Sequence, residues 1–217
     1  MTLADRVSAL DTSLFRPIES QTTEPDRQSL LALHAAIAER GPFDYLEIGS
    51  HLGGSLQALV ADPRCRSIVS IDTRPLLQPD DRGDEAAYPE NSTRRMLEGL
   101  AELPDADLAK VQTFETGTDE LAVSDLPTRP GFCFVDAEHT RAAALRDALF
   151  CLEATTPDGV VAFHDSNVVM PGIEDFIARL DRPHQAFQLP DSVFVVELGE
   201  PRLQATAYIQ RALVPMV

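Results

Sequence analysis

A chain of 217 residues that is 44% hydrophobic and has no compositional break is long enough for one substantial core and gives no reason to place two. Its formal charge of −17, from 18 Lys and Arg against 35 Asp and Glu, opposes a surface built to displace counterions from nucleic acid or to dock on anionic lipid. Neither nucleic acid nor a membrane is therefore expected as a partner. The longest apolar runs are strand-length pieces such as GVVAF, and the opening residues carry acidic side chains without a charged-then-apolar leader, so a cytoplasmic location is expected. Cys65, Cys133 and Cys151 are odd in number and lack a CxxC pair, and they read as reduced thiols in or near the core.

One domain over 1–217 is expected, with an amino-terminal segment 1–24, a core 25–198 and a tail 199–217. Apolar residues at helical spacing predict a helix from Pro25 to about Arg40, with Pro near its start and Gly41 just past its end. YLEIG then reads as a buried strand, SLQALVAD as a helix, and SIVSID as a second strand ending on Asp72. From Thr73 to Glu90 the text is rich in Pro and Asp, as in an irregular excursion that covers a site. A helix over Ser92 to Leu103, a strand around KVQTFETG and an irregular link to Pro130 follow.

GFCFVDAEHT runs apolar into Asp136, RAAALRDALFCLEAT is an Ala/Leu helix, and VVAFHDS is another apolar strand running into Asp165. Alternation of strands and helices predicts an α/β fold with a doubly wound, mostly parallel sheet and ligands at the carboxyl ends of its strands. HQAFQL and SVFVVEL, split by Pro190-Asp191, predict a closing antiparallel hairpin. ATAYIQRALV predicts a tail helix that serves packing or self-association, which leaves a homo-oligomer open.

The glycine-bearing turn after the first strand, Gly49-Ser50-His51-Leu52-Gly53-Gly54-Ser55, invites a ligand. A triphosphate loop needs a Lys beside its last glycine; none is present, and Lys110 is the only Lys of the chain. A dinucleotide fingerprint needs a glycine where His51 stands, so close approach of a pyrophosphate is not supported. Glu47, two residues before Gly49, would repel a pyrophosphate and suit a ligand bearing a cationic amine.

LEIGSHLGGS resembles the first motif of class I S-adenosylmethionine-dependent methyltransferases, [DE]xGxxxGxS, carried here by Glu47, Gly49, Gly53 and Ser55. The resemblance runs from about Gln21 to Leu198. It implies a Rossmann-like methyltransferase fold with a seven-stranded sheet, and S-adenosylmethionine held by Glu47, Gly49, Ser50, Gly53, Ser55 and Asp136. It also implies that Asp72 takes the ribose hydroxyls, and that Gly117 and Thr118, within ETGTDEL, line the adenine.

Asp136 and Asp165 end two strands joined by one helix, so they should be neighbours, and two such carboxylates suit a hard divalent cation such as Mg²⁺. VDAEHT and AFHDSNVVMPG resemble the metal-dependent O-methyltransferases, both the catechol and caffeoyl-CoA group and the sugar-modifying macrolide group. Ser166 stands where those groups carry Asn or Asp, which leaves the third ligand open between Ser166 and Asn167. His139, three residues after the first Asp, matches the sugar-modifying group and is the expected base, kept neutral by a nearby cation. A small-molecule hydroxyl acceptor is implied. His164 is expected to point away from Asp165, on the opposite face of a regular strand.

Overall fold

The computed structural model describes residues 1–83 and 85–214; Asp84 of the long loop and residues 215–217 of the tail lie outside the described residues. Its main sheet is built from β1 (Phe43–Ile48), β2 (Cys65–Ile71), β5 (Val111–Phe114), β6 (Phe132–Val135), β7 (Val160–Phe163), β8 (His184–Gln188) and β9 (Phe194–Leu198). Their order is β5-β2-β1-β6-β7-β9-β8. The first five strands pair in parallel, and β9 and β8 are added antiparallel. The predicted architecture is thus observed, closing hairpin included.

Alternation along the strands sends side chains to two cores. Tyr45, Phe132, Phe134 and Ala162 face one side, against α2 (Glu24–Ala38) and, further along the chain, α7 (Ala207–Ala212). Leu46, Ile48, Cys133, Val135 and Phe163 face the other, against α5 (Arg141–Ala154) and α6 (Ser166–Ile177). The three cysteines are buried and free, as expected. Helix α2 starts on a reciprocal cap in which Thr23 and Asp26 exchange hydrogen bonds, with Pro25 in its first turn.

Four local features differ from the sequence reading. The amino-terminal segment forms a helix, α1 (Leu3–Ser8), and a 3₁₀ turn (Thr12–Phe15), each capped by a side chain that accepts a backbone N–H. The helix after the glycine turn, α3 (Gln57–Ala61), is short because residues 51–56 are spent on turns. The long loop before α4 (Thr93–Ala101) contains a two-residue hairpin, β3 (Leu77–Gln78) with β4 (Ala86–Ala87). Finally, SNVVMPG opens α6, with Pro171 inside it. The Pro-Gly pair serves packing: a Cβ on Gly172 would lie 2.5 Å from the Arg141 carbonyl oxygen and 2.9 Å from Ala144 Cβ, so only glycine lets α6 settle on α5.

In the tail, Ile209 and Ala212 are buried within the molecule and α7 packs on α2. Of the two roles expected for it, packing is the one observed. No helix of the described residues is long and apolar enough to cross a membrane.

Candidate active site

The connections leave β1 in one direction to β2 and reach β6 on its other side, which opens a crevice at the carboxyl ends of β1 and β6. Two adjoining clefts occupy it, sharing Gly49, Asp72 and Gln78. The first, of about 530 Å³, is lined by Ser50, His51, Gly54, Ser55 and Asp136 from the strand ends, with Ser20, Tyr88 and Asn91 above them. The second is lined by Ile71, Thr73, Gly117, Thr118 and Asp147. Most of the residues expected to hold a methyl donor are therefore gathered in one place, and the long loop covers them through Gln78 and Tyr88.

Gly49 has φ +91, and a Cβ there would overlap the backbone carbonyl of Asp136. Close approach of the ends of β1 and β6 requires glycine at this point. Gly49→Ala is expected to cost about 2–4 kcal/mol of stability and to weaken donor binding, measured by urea unfolding and calorimetry. Gly53 also has positive φ, but a Cβ there would meet Met96 and Leu100 of the core beneath α4. It shapes the turn; of the Gly53-Gly54 pair it is Gly54 that lines the cleft.

Glu47 does not reach the cleft. It is fully buried on the Tyr45 face of β1, where the Tyr45 hydroxyl donates to it at 2.7 Å and the Ser55 hydroxyl donates to its other oxygen. Burial raises its carboxyl to about 8, only partly offset by those two hydroxyls. A pKa above the unfolded value lends stability that is complete below about 4.5 and lost as pH rises toward 8. Glu47→Gln, which cannot ionise, should therefore gain on the wild type by roughly 2–4 kcal/mol between about pH 5 and pH 8 in urea titrations. Parallel stability profiles would refute this.

Asp72 is nearly saturated. The Arg74 backbone N–H donates to Oδ1 at 2.7 Å, and His51 N–H and Arg74 Nη1 donate to Oδ2 at 2.8 and 3.1 Å. With about four acceptor positions on a carboxylate, roughly one is left for a ribose hydroxyl. Arg74 was not singled out in the sequence. Its buried guanidinium also donates to the His51 carbonyl and to Asn91, tying the base of the long loop to the glycine turn.

Asp136 and Asp165 follow the paired strands β6 and β7, as predicted. Asp136, His139 and Asp165 each present a ligand atom within 4.8 Å of one another, and His139 Nε2 lies 3.0 Å from Asp165 Oδ2. Asp80 of the long loop lies 3.0 Å from His139 Nδ1, with Arg82 Nη2 at the same distance, and Asp81 N–H donates to the His139 carbonyl. Burial works against a charge on His139, but Asp165, then Asp136 and Asp80, outweigh it and raise its pKa. A cation among these carboxylates would offset them and favour the neutral His139 expected from the sequence. Asp165 itself is held far below the usual range: its burial is overcome by the two imidazoles.

The expectation for His164 is overturned. Regular strand geometry ends at Phe163, and Asp165 adopts the left-handed conformation (φ 47, ψ 36), which turns its side chain back toward the His164 side. His164 Nδ1 consequently lies 3.0 Å from Asp136 Oδ1 and 3.3 Å from Asp165 Oδ2, while Nε2 faces Asp26 of α2 at 3.2 Å. Ser166 is directed elsewhere: its buried hydroxyl donates to Gln188 at 3.2 Å. Asn167 is exposed on the first turn of α6.

The crevice, the glycine turn and the strand-end acids define a class I S-adenosylmethionine-dependent methyltransferase. The family model described as a methyltransferase domain matches residues 46–166, more than half of the chain, and the chain belongs to that family. No curated protein sequence matches it. Among solved structures it resembles the O-methyltransferase NovP (12% identity, 91% of this chain and 98% of that one, TM-score 0.63). It also resembles the O-methyltransferase TomG from Streptomyces achromogenes, involved in tomaymycin synthesis and solved with S-adenosylmethionine (18%, 91% and 89%, 0.54). A third is the MycE methyltransferase of mycinamycin biosynthesis, solved with Mg, S-adenosylhomocysteine and mycinamycin VI (15%, 89% and 54%, 0.58). Identities this low establish the shared fold.

Proposed function

We propose that this methyltransferase acts on a hydroxyl of a sugar or other polyhydroxylated small molecule, with a divalent cation, Mg²⁺ in the first instance, held by Asp136 and Asp165. The observation that carries this reading is the convergence of Asp136, His139 and Asp165 at the ends of adjacent strands, beside the glycine turn. The O-methyltransferase neighbours, one of them solved with Mg and a macrolide, support it.

Gly49, Ser50 and Ser55 would hold the donor's amino-acid end, with Glu47 bracing the turn from behind, and Gly117 and Thr118 would line its adenine. An aliphatic hydroxyl is too weak an acid to attack a sulfonium methyl near neutral pH, and a bound cation supplies the acidification that makes it an adequate nucleophile. His139 takes the hydroxyl proton at Nε2 while Asp80 holds Nδ1–H. The carbon–oxygen bond forms as the carbon–sulfur bond breaks, leaving S-adenosylhomocysteine and a methyl ether. The enzyme's main contribution to that in-line displacement is alignment.

Release of S-adenosylhomocysteine from a panel of glycosides and phenols, with Mg²⁺ and with chelator, tests the proposal; turnover unchanged by chelator would remove the cation from it. One observation favours a second reading in which no metal takes part. His164 stands against both carboxylates, which overcome its burial and raise its pKa well above the ordinary value, so the chain carries a positive charge of its own there.

A further inference from the structure

We propose that His164 is the third protein ligand of this cation, through Nδ1, which makes the centre a two-carboxylate, one-imidazole site suited to a first-row transition metal in preference to Mg²⁺. The proposal rests on the reading of Asp136 and Asp165 as a cation site.

Helix α2 and the β8–β9 turn fix the imidazole from behind. Asp26 is 1% exposed; one oxygen accepts from the Ser192 backbone N–H and hydroxyl, both at 3.0 Å, and the other faces His164 Nε2 at 3.2 Å. A carboxylate only accepts, so it selects the tautomer with the proton on Nε2. The opposite nitrogen, Nδ1, then aims a lone pair at the oxygens of Asp136 and Asp165. It is buried and has no hydrogen-bond partner of acceptable geometry, in a side chain that is only 5% exposed. A lone pair facing two carboxylates at 3.0 and 3.3 Å is unfavourable unless a cation stands among them or a proton occupies Nδ1, and the lack of hydrogen-bond geometry at Nδ1 favours the cation.

A carboxylate behind one ring nitrogen and the other nitrogen turned to a pair of acids is the arrangement that orients a metal-ligating histidine. The two histidines of the centre are therefore set for different work. His164 is locked from the core, whereas His139 is held by Asp80 of the covering loop, itself paired with Arg82. Imidazole nitrogen favours Mn²⁺, Fe²⁺, Co²⁺ or Zn²⁺, and Mg²⁺ prefers an all-oxygen shell.

The test loads the full chain with Mn²⁺ and reads directly coordinated ¹⁴N by pulsed electron paramagnetic resonance. Nitrogen modulation is expected in the wild type and in His139→Gln, and is expected to vanish in His164→Gln. Asp26→Asn should weaken Mn²⁺ binding by roughly 10–100-fold and Mg²⁺ binding less, because only the nitrogen ligand loses its support. Mn²⁺ bound without nitrogen modulation, or modulation lost in His139→Gln and kept in His164→Gln, would overturn the ligand assignment and leave the cation site standing. Failure of the wild type to bind Mn²⁺, Zn²⁺ or Mg²⁺ would overturn both, with His164 as the resident cation. Should His164→Gln fail to fold, His139→Gln decides: nitrogen modulation kept there leaves His164 as the nitrogen donor, and its loss overturns the assignment.

Discussion

Asp165→Asn is expected to lower kcat by on the order of a thousandfold while leaving S-adenosylmethionine affinity within about threefold. Asparagine is the right substitution because Asp165 has φ 47, a left-handed conformation that Asn tolerates far better than Ala. Shape is kept and one negative charge is lost. That charge has three roles at once: it faces His139 Nε2, it faces His164 Nδ1, and with Asp136 it makes up the proposed cation site. Asp165 lines neither donor cleft, whereas Asp136 lines the first, so binding and turnover should separate cleanly at Asp165. Calorimetry with the donor and release of S-adenosylhomocysteine measure the two. Equal losses in both would mean that Asp165 is a structural residue.

His139→Gln is expected to cost roughly 10²–10⁴ in kcat, with donor affinity and fold intact. Its ring is almost buried, but most of what surrounds it is charge, so the glutamine side chain can fill much of the space without a core cavity. As a base His139 must be neutral, so wild-type kcat should rise with pH along a limb set by its protonation, and that limb should move to higher pH when the cation is withheld, because the carboxylates around His139 then raise its pKa unopposed. The limb should disappear in His139→Gln. Retention of the limb at reduced rate would assign it to another group.

The alternation of strands with helices, the closing hairpin and the meeting of Asp136 with Asp165 were all legible in the sequence, because each rests on a period or a turn signal that the chain carries locally. Regular alternation failed at one residue. It holds through Phe163 and breaks where Asp165 enters the left-handed region, and that break turns Asp165 toward the His164 side instead of leaving the two on opposite faces. Nothing local announces such a residue beyond its being an aspartate. Asp26, Asp80 and Arg74 were invisible for a different reason. Their partners lie 138, 59 and 17 positions away for His164, His139 and Asn91, and no spacing rule links them. Glu47 was placed on the correct strand, but its side chain serves the turn from within the core, because residues 45 and 47 share a face and the Tyr45 hydroxyl can reach it.

The most direct measurement is an anomalous difference map from crystals grown with S-adenosylhomocysteine and Mn²⁺. The expected result is a metal peak among Asp136, Asp165 and His164, with the product's amino-acid end along Gly49 and Ser50. Product in that crevice with no peak between the two carboxylates would contradict the cation-assisted mechanism, and product bound elsewhere would contradict the site itself.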